Sequence, residues 1–469
     1  MSEKNDLNQS ITAHDEQKLG RPHLRMIITA GMGFFTDAYD LFVIGVVTAL
    51  LSPIWHLTTG QISLLNGASL ASAAFGAIFF GWCADKFGRK KMYGVEVMIL
   101  FIGAILSAMS PSYAFLLLSR ILVGFGIGGD YPSSAVVASE HANRKNRGFL
   151  VLLVFAMQAL GLIIGPLFAS LLISFHIPHD TVWRLLLAAG AVPAASVFYL
   201  RRKISESKCF LMAQASPVVE VSRVVSHLSG YKDAVAAAFQ KKKQKQGLLS
   251  AKWLKCLLGT AGAWFLLDVA FYGNGVSSMM IMHAISPTDE LLTHTLLAAL
   301  IFFSFALPGY LFAALYVDKI GRKPLQIIGF LVIALCYLAI AFVPNLQTML
   351  PLFVAVFGLS FFFVNFGPNT TTFLIPSEIY PTNIRARAHG ISAAVGKIGA
   401  FVGAFFLPLI LKFSGMSTTM LLLSIVSLLG IFATFLVPEM KRASLDVAEE
   451  VHLKKEDSEK MLLAADELF

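Results

Sequence analysis

The stretch DKFGRK at residues 85–90 recurs as DKIGRK at residues 318–323, 233 positions later. Each copy closes an apolar run of about 20 residues, the length that crosses roughly 30 Å of hydrocarbon as a helix. A charged motif repeated at equivalent places makes the chain two related halves with parallel repeats. A weaker match points the same way, pairing Glu140, Arg144 and Arg147 with Glu378, Arg385 and Arg387. These residue types have a physical use beyond charge bias at a membrane surface. Gly88 and Gly321 allow a tight turn between adjacent helices. Asp85 or Asp318 can accept a backbone N–H or pair with an arginine of a neighbouring loop, so that with Arg89 and Arg322 the motif latches the inner side of the bundle.

Outward from the motif, the whole chain has the same character. Of 469 residues 56% are hydrophobic and 14% charged, with mean hydropathy +0.71, whereas an average soluble chain is about 25% charged. The apolar residues gather in twelve blocks, near 25–50, 62–82, 93–110, 113–136, 148–173, 182–201, 254–283, 293–316, 324–343, 347–375, 386–412 and 416–437. Lipid admits only helices or closed barrels, and uninterrupted runs of this length are not the alternating strands of a barrel. The sequence therefore predicts an all-α membrane protein with twelve transmembrane helices. The expected organisation is a tail over 1–24, a six-helix bundle over 25–201, a central loop over 202–253, a second six-helix bundle over 254–437 and a tail over 438–469. The first 24 residues carry no apolar core with a cleavage site and read as a cytoplasmic tail rather than a signal peptide. Within the central loop, SGYKDAVAAAFQKKKQK reads as a surface helix on the inner face.

Lysine and arginine fix the expected orientation. They crowd the even-numbered connections, as DKFGRKK, EHANRKNR, RRK with KKKQK, DKIGRK and EIYPTNIRAR, and leave the odd ones nearly bare apart from Arg184 and Lys412. Both termini should then face the cytoplasm. This bias accounts for the net charge of +9, so the basic balance does not indicate nucleic-acid binding. Cys83, Cys209, Cys256 and Cys336 are scattered without pairing or metal-ligand spacing and read as small core residues. No nucleophile–base arrangement, nucleotide loop or metal motif points to an enzyme, and no cofactor is expected.

Function must come from polar residues inside the spans, each costing roughly 2.5–3.5 kcal/mol at the bilayer centre on insertion scales. They are Asp37 and Asp40 in the first span, Glu96 in the third, Arg120 and Asp130 in the fourth, Asp268 in the seventh and Lys397 in the eleventh. Five acids against two bases is a poor inventory for internal ion pairing, so some acids must be protonated or exchange protons during work. Asp37 and Asp40, spaced i, i+3, share a helix face. Trp264, Asp268 and Tyr272 form one stripe at i, i+4, i+8. Gln158, Asn365 and Asn369 could bind a small polar ligand or simply join helices, and Pro368 should break the tenth span. Lys397, about ten residues into its helix, needs an anion: either a permanent partner, Asp268 or Asp130, or a carboxylate that gives way to an anionic substrate.

The paired DxxGRK loops in a twelve-span chain resemble the major facilitator superfamily over residues 25–440. Arg120 with Gly124, Gly126 and Gly128, and Gly161-x-x-x-Gly165-Pro166, support the likeness. Such folds hold substrate near the bilayer midplane between the halves. Within the superfamily, GFFTDAYDLF, GIGGDYPSSAVVASE, WFLLDVAFYG, FGPNTTTFLIPSEIYPT and HGISAAVGKIGA resemble the phosphate:proton symporters of fungi and plants. The chain departs from that pattern at Ser133, where the family commonly has Leu, and in EIYPTNIR, where ECFPTRYR is frequent. The resemblance implies a phosphate site of Tyr131, Gln158, Trp264, Asp268, Tyr272, Asn369 and Lys397. It also implies proton-linked roles for Asp37, Asp40, Asp130 and Glu96. Phosphate suits those groups, because it both donates and accepts: Lys397 can hold its charge while Asp268 accepts a P–OH. The expected ligands are phosphate and protons, carried by a monomer in a plasma or bacterial inner membrane. The alternatives are a proton-coupled carrier of sugars or organic anions, and a phosphate sensor signalling through its tails.

Overall fold

The computed structural model describes residues 20–87, 89–141, 146–201, 250–380 and 382–441. All of its regular structure is helical: α1 (Arg21–Trp55), α2 (Thr59–Phe87), α3 (Arg89–Ala108), α4 (Tyr113–His141), α5 (Arg147–Ser174), α6 (His179–Ala189), α7 (Ala191–Arg201), α8 (Ala251–Val276), α9 (Ser278–Ile285), α10 (Leu291–Ile301), α11 (Leu307–Ile320), α12 (Arg322–Phe342), α13 (Leu350–Phe366), α14 (Pro368–Ile379) and α15 (Thr382–Phe435). Among the described residues ten helical segments are long and apolar enough to cross a membrane, and Gly94–Ala108 is a shorter apolar one. The surface-helix expectation for the central loop falls outside the described residues.

Proline and glycine explain where the expected spans are interrupted. The eighth is continuous from α10 to α11 through a π turn at Phe302–Ala306, next to Pro308, which lacks the N–H an α-turn needs. The tenth breaks as its sequence predicts: α13 ends at Phe366, Gly367 takes φ −113°, ψ −103°, and α14 restarts at Pro368. Side chains brace the first turn of α14, where Gly367 O also accepts the Thr371 N–H at 3.1 Å. Here Thr370 and Thr371 donate to Gly367 O at 2.9 Å and Thr372 to Pro368 O at 2.7 Å. The last two expected spans run on as one element, α15, with Gly415 at φ 78°, ψ 176° between them. That backbone is open to glycine and strained for other residues.

Close helix crossings use small residues in both halves of the chain. A Cβ at Gly76 of α2 would strike the Phe125 carbonyl of α4, and one at Gly309 of α11 would strike the Phe362 carbonyl of α13. Gly309 follows Gly76 by 233 positions, the separation of the two charged motifs. Likewise the Phe35 carbonyl of α1 seats against Gly161 of α5, and the Phe265 carbonyl of α8 against Gly399 of α15. The sequence repeat is thus also a repeat of helix contacts.

Candidate functional site

The polar groups of both halves meet in one chain of hydrogen bonds. Lys397, 1% exposed, donates from Nζ to the Tyr272 hydroxyl at 2.8 Å and to Asp268 Oδ2 at 3.4 Å. The ammonium also lies 4.2 Å from the ring centroids of Tyr131 and Tyr272, a cation–π arrangement that partly replaces its lost hydration. The Tyr131 and Tyr272 hydroxyls are 3.1 Å apart, and Gln158 Nε2 donates to Tyr131 at 3.1 Å. Tyr310 donates to Gln158 Oε1 at 2.8 Å and accepts from Asn369 Nδ2 at 2.7 Å. Asn365 Oδ1 accepts from the same Asn369 amide at 2.7 Å, while its own amide donates to Phe361 O.

Six of the seven substrate-site residues named from sequence therefore belong to one network. Trp264, the seventh, packs beside the network, its ring 6.1 Å from that of Tyr131, centroid to centroid. Tyr310 is a network member the sequence does not single out, because a tyrosine in an apolar helix looks like any other aromatic. Asn365 serves the network as a brace that fixes Asn369.

Aromatic layers bound the site on two sides. Toward the Asp318–Arg322 end, Phe155 stacks on Phe373 at 4.3 Å and Phe34 meets both edge-on at 5.2 and 5.1 Å. Toward the other end, Phe42 packs against Phe271, Tyr272 and Phe302. Both layers join the two halves of the chain. Polar contacts between the halves lie beyond them: Phe149 N donates to Asp318 Oδ2 at 3.0 Å on one side, and Ser170 Oγ donates to Thr295 Oγ1 at 2.8 Å on the other.

The acids expected to handle protons fall into two groups. Asp40 stands 3.8 Å from Arg120 Nη1, and Arg120 Nη2 donates to the Asp40 carbonyl at 2.7 Å. Asp37, although on the same helix face, goes elsewhere and lines a void of about 10 Å³ with Glu96 and Asp130, roughly the room one water needs. Glu96 and Asp130 both pair with Arg201, at 2.8 and 2.5 Å. To Arg120 and Lys397, the bases the sequence places inside the spans, the structure adds Arg201 as a third partner for these acids. Arg201 ends α7 in the run RRK, where it reads as topological charge, yet its side chain turns inward and is buried.

The second charged motif forms a bonded cluster. Gly321 adopts φ 112°, as its place in the turn requires. Asp318 pairs with Arg322 of its own motif at 2.9 Å rather than with an arginine of a neighbouring loop. Arg322 in turn grips Glu378 through Nε and Nη2, both at 2.9 Å, the bidentate geometry that makes such pairs strong. Asp318 also accepts the N–H of Phe149 near the start of α5, where a helix presents unpaired donors and positive partial charge. Gly88 and the side chains of Asp85 and Arg89 lie outside the described residues.

Comparison with known proteins agrees with this architecture. A model of sugar (and other) transporters matches residues 26–452. Inorganic phosphate transporter 1-4 of Arabidopsis thaliana is 37% identical, the alignment covering 96% of this chain and 97% of that protein. Low affinity inorganic phosphate transporter 1 of Petunia hybrida is 35% identical, covering 93% and 94%. Among solved structures, the proton:xylose symporter XylE bound to 6-bromo-6-deoxy-D-glucose superposes with a TM-score of 0.74 at 19% identity, over 92% of this chain and 98% of that one. That likeness establishes the major facilitator fold.

Proposed function

This chain belongs to the sugar (and other) transporters of the major facilitator superfamily, alongside the plant inorganic phosphate transporters, and on that premise we propose that it is a proton-coupled symporter of inorganic phosphate. The observation that carries the reading is the setting of Lys397: a buried ammonium held by a phenol and a carboxylate, among neutral donors from both halves. A cation so placed is matched to an anion that can take its charge and still donate a hydrogen bond to Asp268. Phosphate does both. Tyr131, Gln158, Trp264, Tyr272 and Asn369 supply the remaining contacts.

The finer architecture belongs to the same reading. Dividing Ile384–Phe435 at Gly415 and adding Gly94–Ala108 to the ten long segments gives twelve crossings. They form two six-helix bundles over 25–201 and 254–437, with a loop and both tails in the cytoplasm, in a monomer of a plasma or bacterial inner membrane. The lysine- and arginine-rich even connections support that orientation.

Transport proceeds by alternating access. With Asp130 protonated from outside, phosphate displaces the Asp268 carboxylate from Lys397, the latches at Asp85 and Asp318 open, and phosphate leaves inward. Lys397 then returns to Asp268. Asp37, Asp40 and Glu96 share the proton work, each net charge moved being worth about 2.3 kcal/mol per 100 mV. The test is counterflow of labelled phosphate in proteoliposomes with competing solutes. Inhibition by unlabelled phosphate and not by hexoses or dicarboxylates is expected; competition by a sugar or organic anion at lower concentration than phosphate rejects the substrate assignment.

A further inference from the structure

Arg201 is shared by acids from different helices. Its Nη1 donates to Glu96 Oε1 of α3 at 2.8 Å, and its Nη2 donates to Asp130 Oδ1 of α4 at 2.5 Å. Ser134, one turn on from Asp130, also donates to that Oδ1 at 2.5 Å and accepts from Arg201 at 3.4 Å. Asp37 of α1 faces the same void as both acids, and its Oδ2 is buried without a hydrogen-bond partner. The last acid nearby, Asp40, is held by Arg120. The charged groups of α6, Asp180 and Arg184, pair with one another at 3.5 Å in its first turns, away from Arg201 at the end of α7.

Two carboxyls thus grip one guanidinium, and a third, Asp37, shares their void. In such surroundings they do not all ionise together, because like charges at short range and low dielectric repel strongly. We infer that Arg201 discharges the transported proton: its guanidinium competes with the proton for Asp130 and Glu96, so that engaging the arginine expels the proton and withdrawing it allows reloading. This inference rests on the phosphate:proton reading. In the discharge step a carboxyl O–H bond breaks, the proton passes to water, and the carboxylate left behind accepts an N–H of Arg201. Reloading reverses each event. Asp37 links the cluster to the substrate site, being within electrostatic reach of Asp130, Arg201 and Glu96 on one side and of Tyr131 and Lys397 on the other. Arg201 acts through these acids and is a positioning residue.

The experiment compares gradient-driven accumulation of labelled phosphate with phosphate counterflow, each across a pH series, in the native chain and in Arg201→Gln. Absence of counterflow in the native chain refutes the phosphate reading before any variant is compared. With native counterflow present, Arg201→Gln should lower the ratio of accumulation to counterflow about tenfold. It should also move the alkaline midpoint of uptake up by about one pH unit, because carboxyls without their cation hold protons more tightly. An unchanged ratio and midpoint overturn the inference. If Arg201→Gln shows no counterflow, Arg201→Lys carries the test: one ammonium serves two carboxylates poorly, so the midpoint moves the same way by less. An unchanged midpoint there, or loss of counterflow in both variants, makes Arg201 a structural brace and rejects the inference.

Discussion

Lys397 stands 3.4 Å from Asp268 but 2.8 Å from the Tyr272 hydroxyl, so the buried ammonium is held more closely by a neutral phenol than by its counter-charge. A tight ammonium–carboxylate bond measures about 2.7–2.9 Å. The pair is complete enough to bury the lysine and loose enough for another anion to take the carboxylate's place.

Breaking that pair on one side should cost stability as well as transport. Asp268→Asn leaves an uncompensated buried cation, at about 3–5 kcal/mol, and is expected to lower the melting temperature in detergent. Adding Lys397→Met should restore the melting temperature without restoring phosphate binding. Recovery of phosphate binding in the double variant would show that neither charge is needed.

Tyr310→Phe tests the network member found only in three dimensions. Loss of the hydroxyl leaves Gln158 Oε1 and the Asn369 amide each short of a partner, a penalty of about 1–3 kcal/mol per group. Kinetics of phosphate uptake should show KM raised about tenfold, with the maximal rate less affected. An unchanged KM would place Tyr310 outside the site.

The Asp318 contact should hold the bundle shut on its own side. Asp318→Asn removes a carboxylate from the start of α5, where the charge is worth about 0.3–1 kcal/mol, and loosens Arg322. A cysteine placed at Phe155, inside the aromatic layer with Phe34 and Phe373, should then react faster with an impermeant maleimide. The comparison is made in a chain whose four native cysteines are serine. An equal rate would mean that Asp318 does not bear on opening.

Asp130→Asn removes the acid that Arg201 and Ser134 both hold. Phosphate distribution under a proton gradient should then no longer exceed equilibrium. Accumulation at the native level would move the proton role to Glu96 or Asp37.

Much of the scaffold was legible in the sequence because lipid leaves few options. The repeated motif, the apolar runs and Pro368 each act through backbone rules that hold regardless of neighbours. The intramembrane charges were legible for the same reason, since a lysine or aspartate inside an apolar run stands out by its cost. Partners were not. Asp37 and Asp40 share a face, yet neighbouring helices send one to the Glu96–Asp130 cluster and the other to Arg120. Arg201 was hidden by its position in RRK, where topology alone explains a basic residue. Tyr310 carries no charge and gains its meaning only from Gln158 and Asn369 across helix boundaries. The Arg322–Glu378 bond joins two segments that in the sequence are separate repeats.

In the proposed cycle Lys397 holds phosphate while protons drive it. Uptake of radiolabelled phosphate into proteoliposomes under an imposed inward proton gradient tests it most directly, with the native chain beside Lys397→Ala. Accumulation that collapses with an uncoupler in the native chain and is absent from the variant is the predicted result; accumulation by Lys397→Ala at the native level, or native uptake indifferent to the uncoupler, would contradict it.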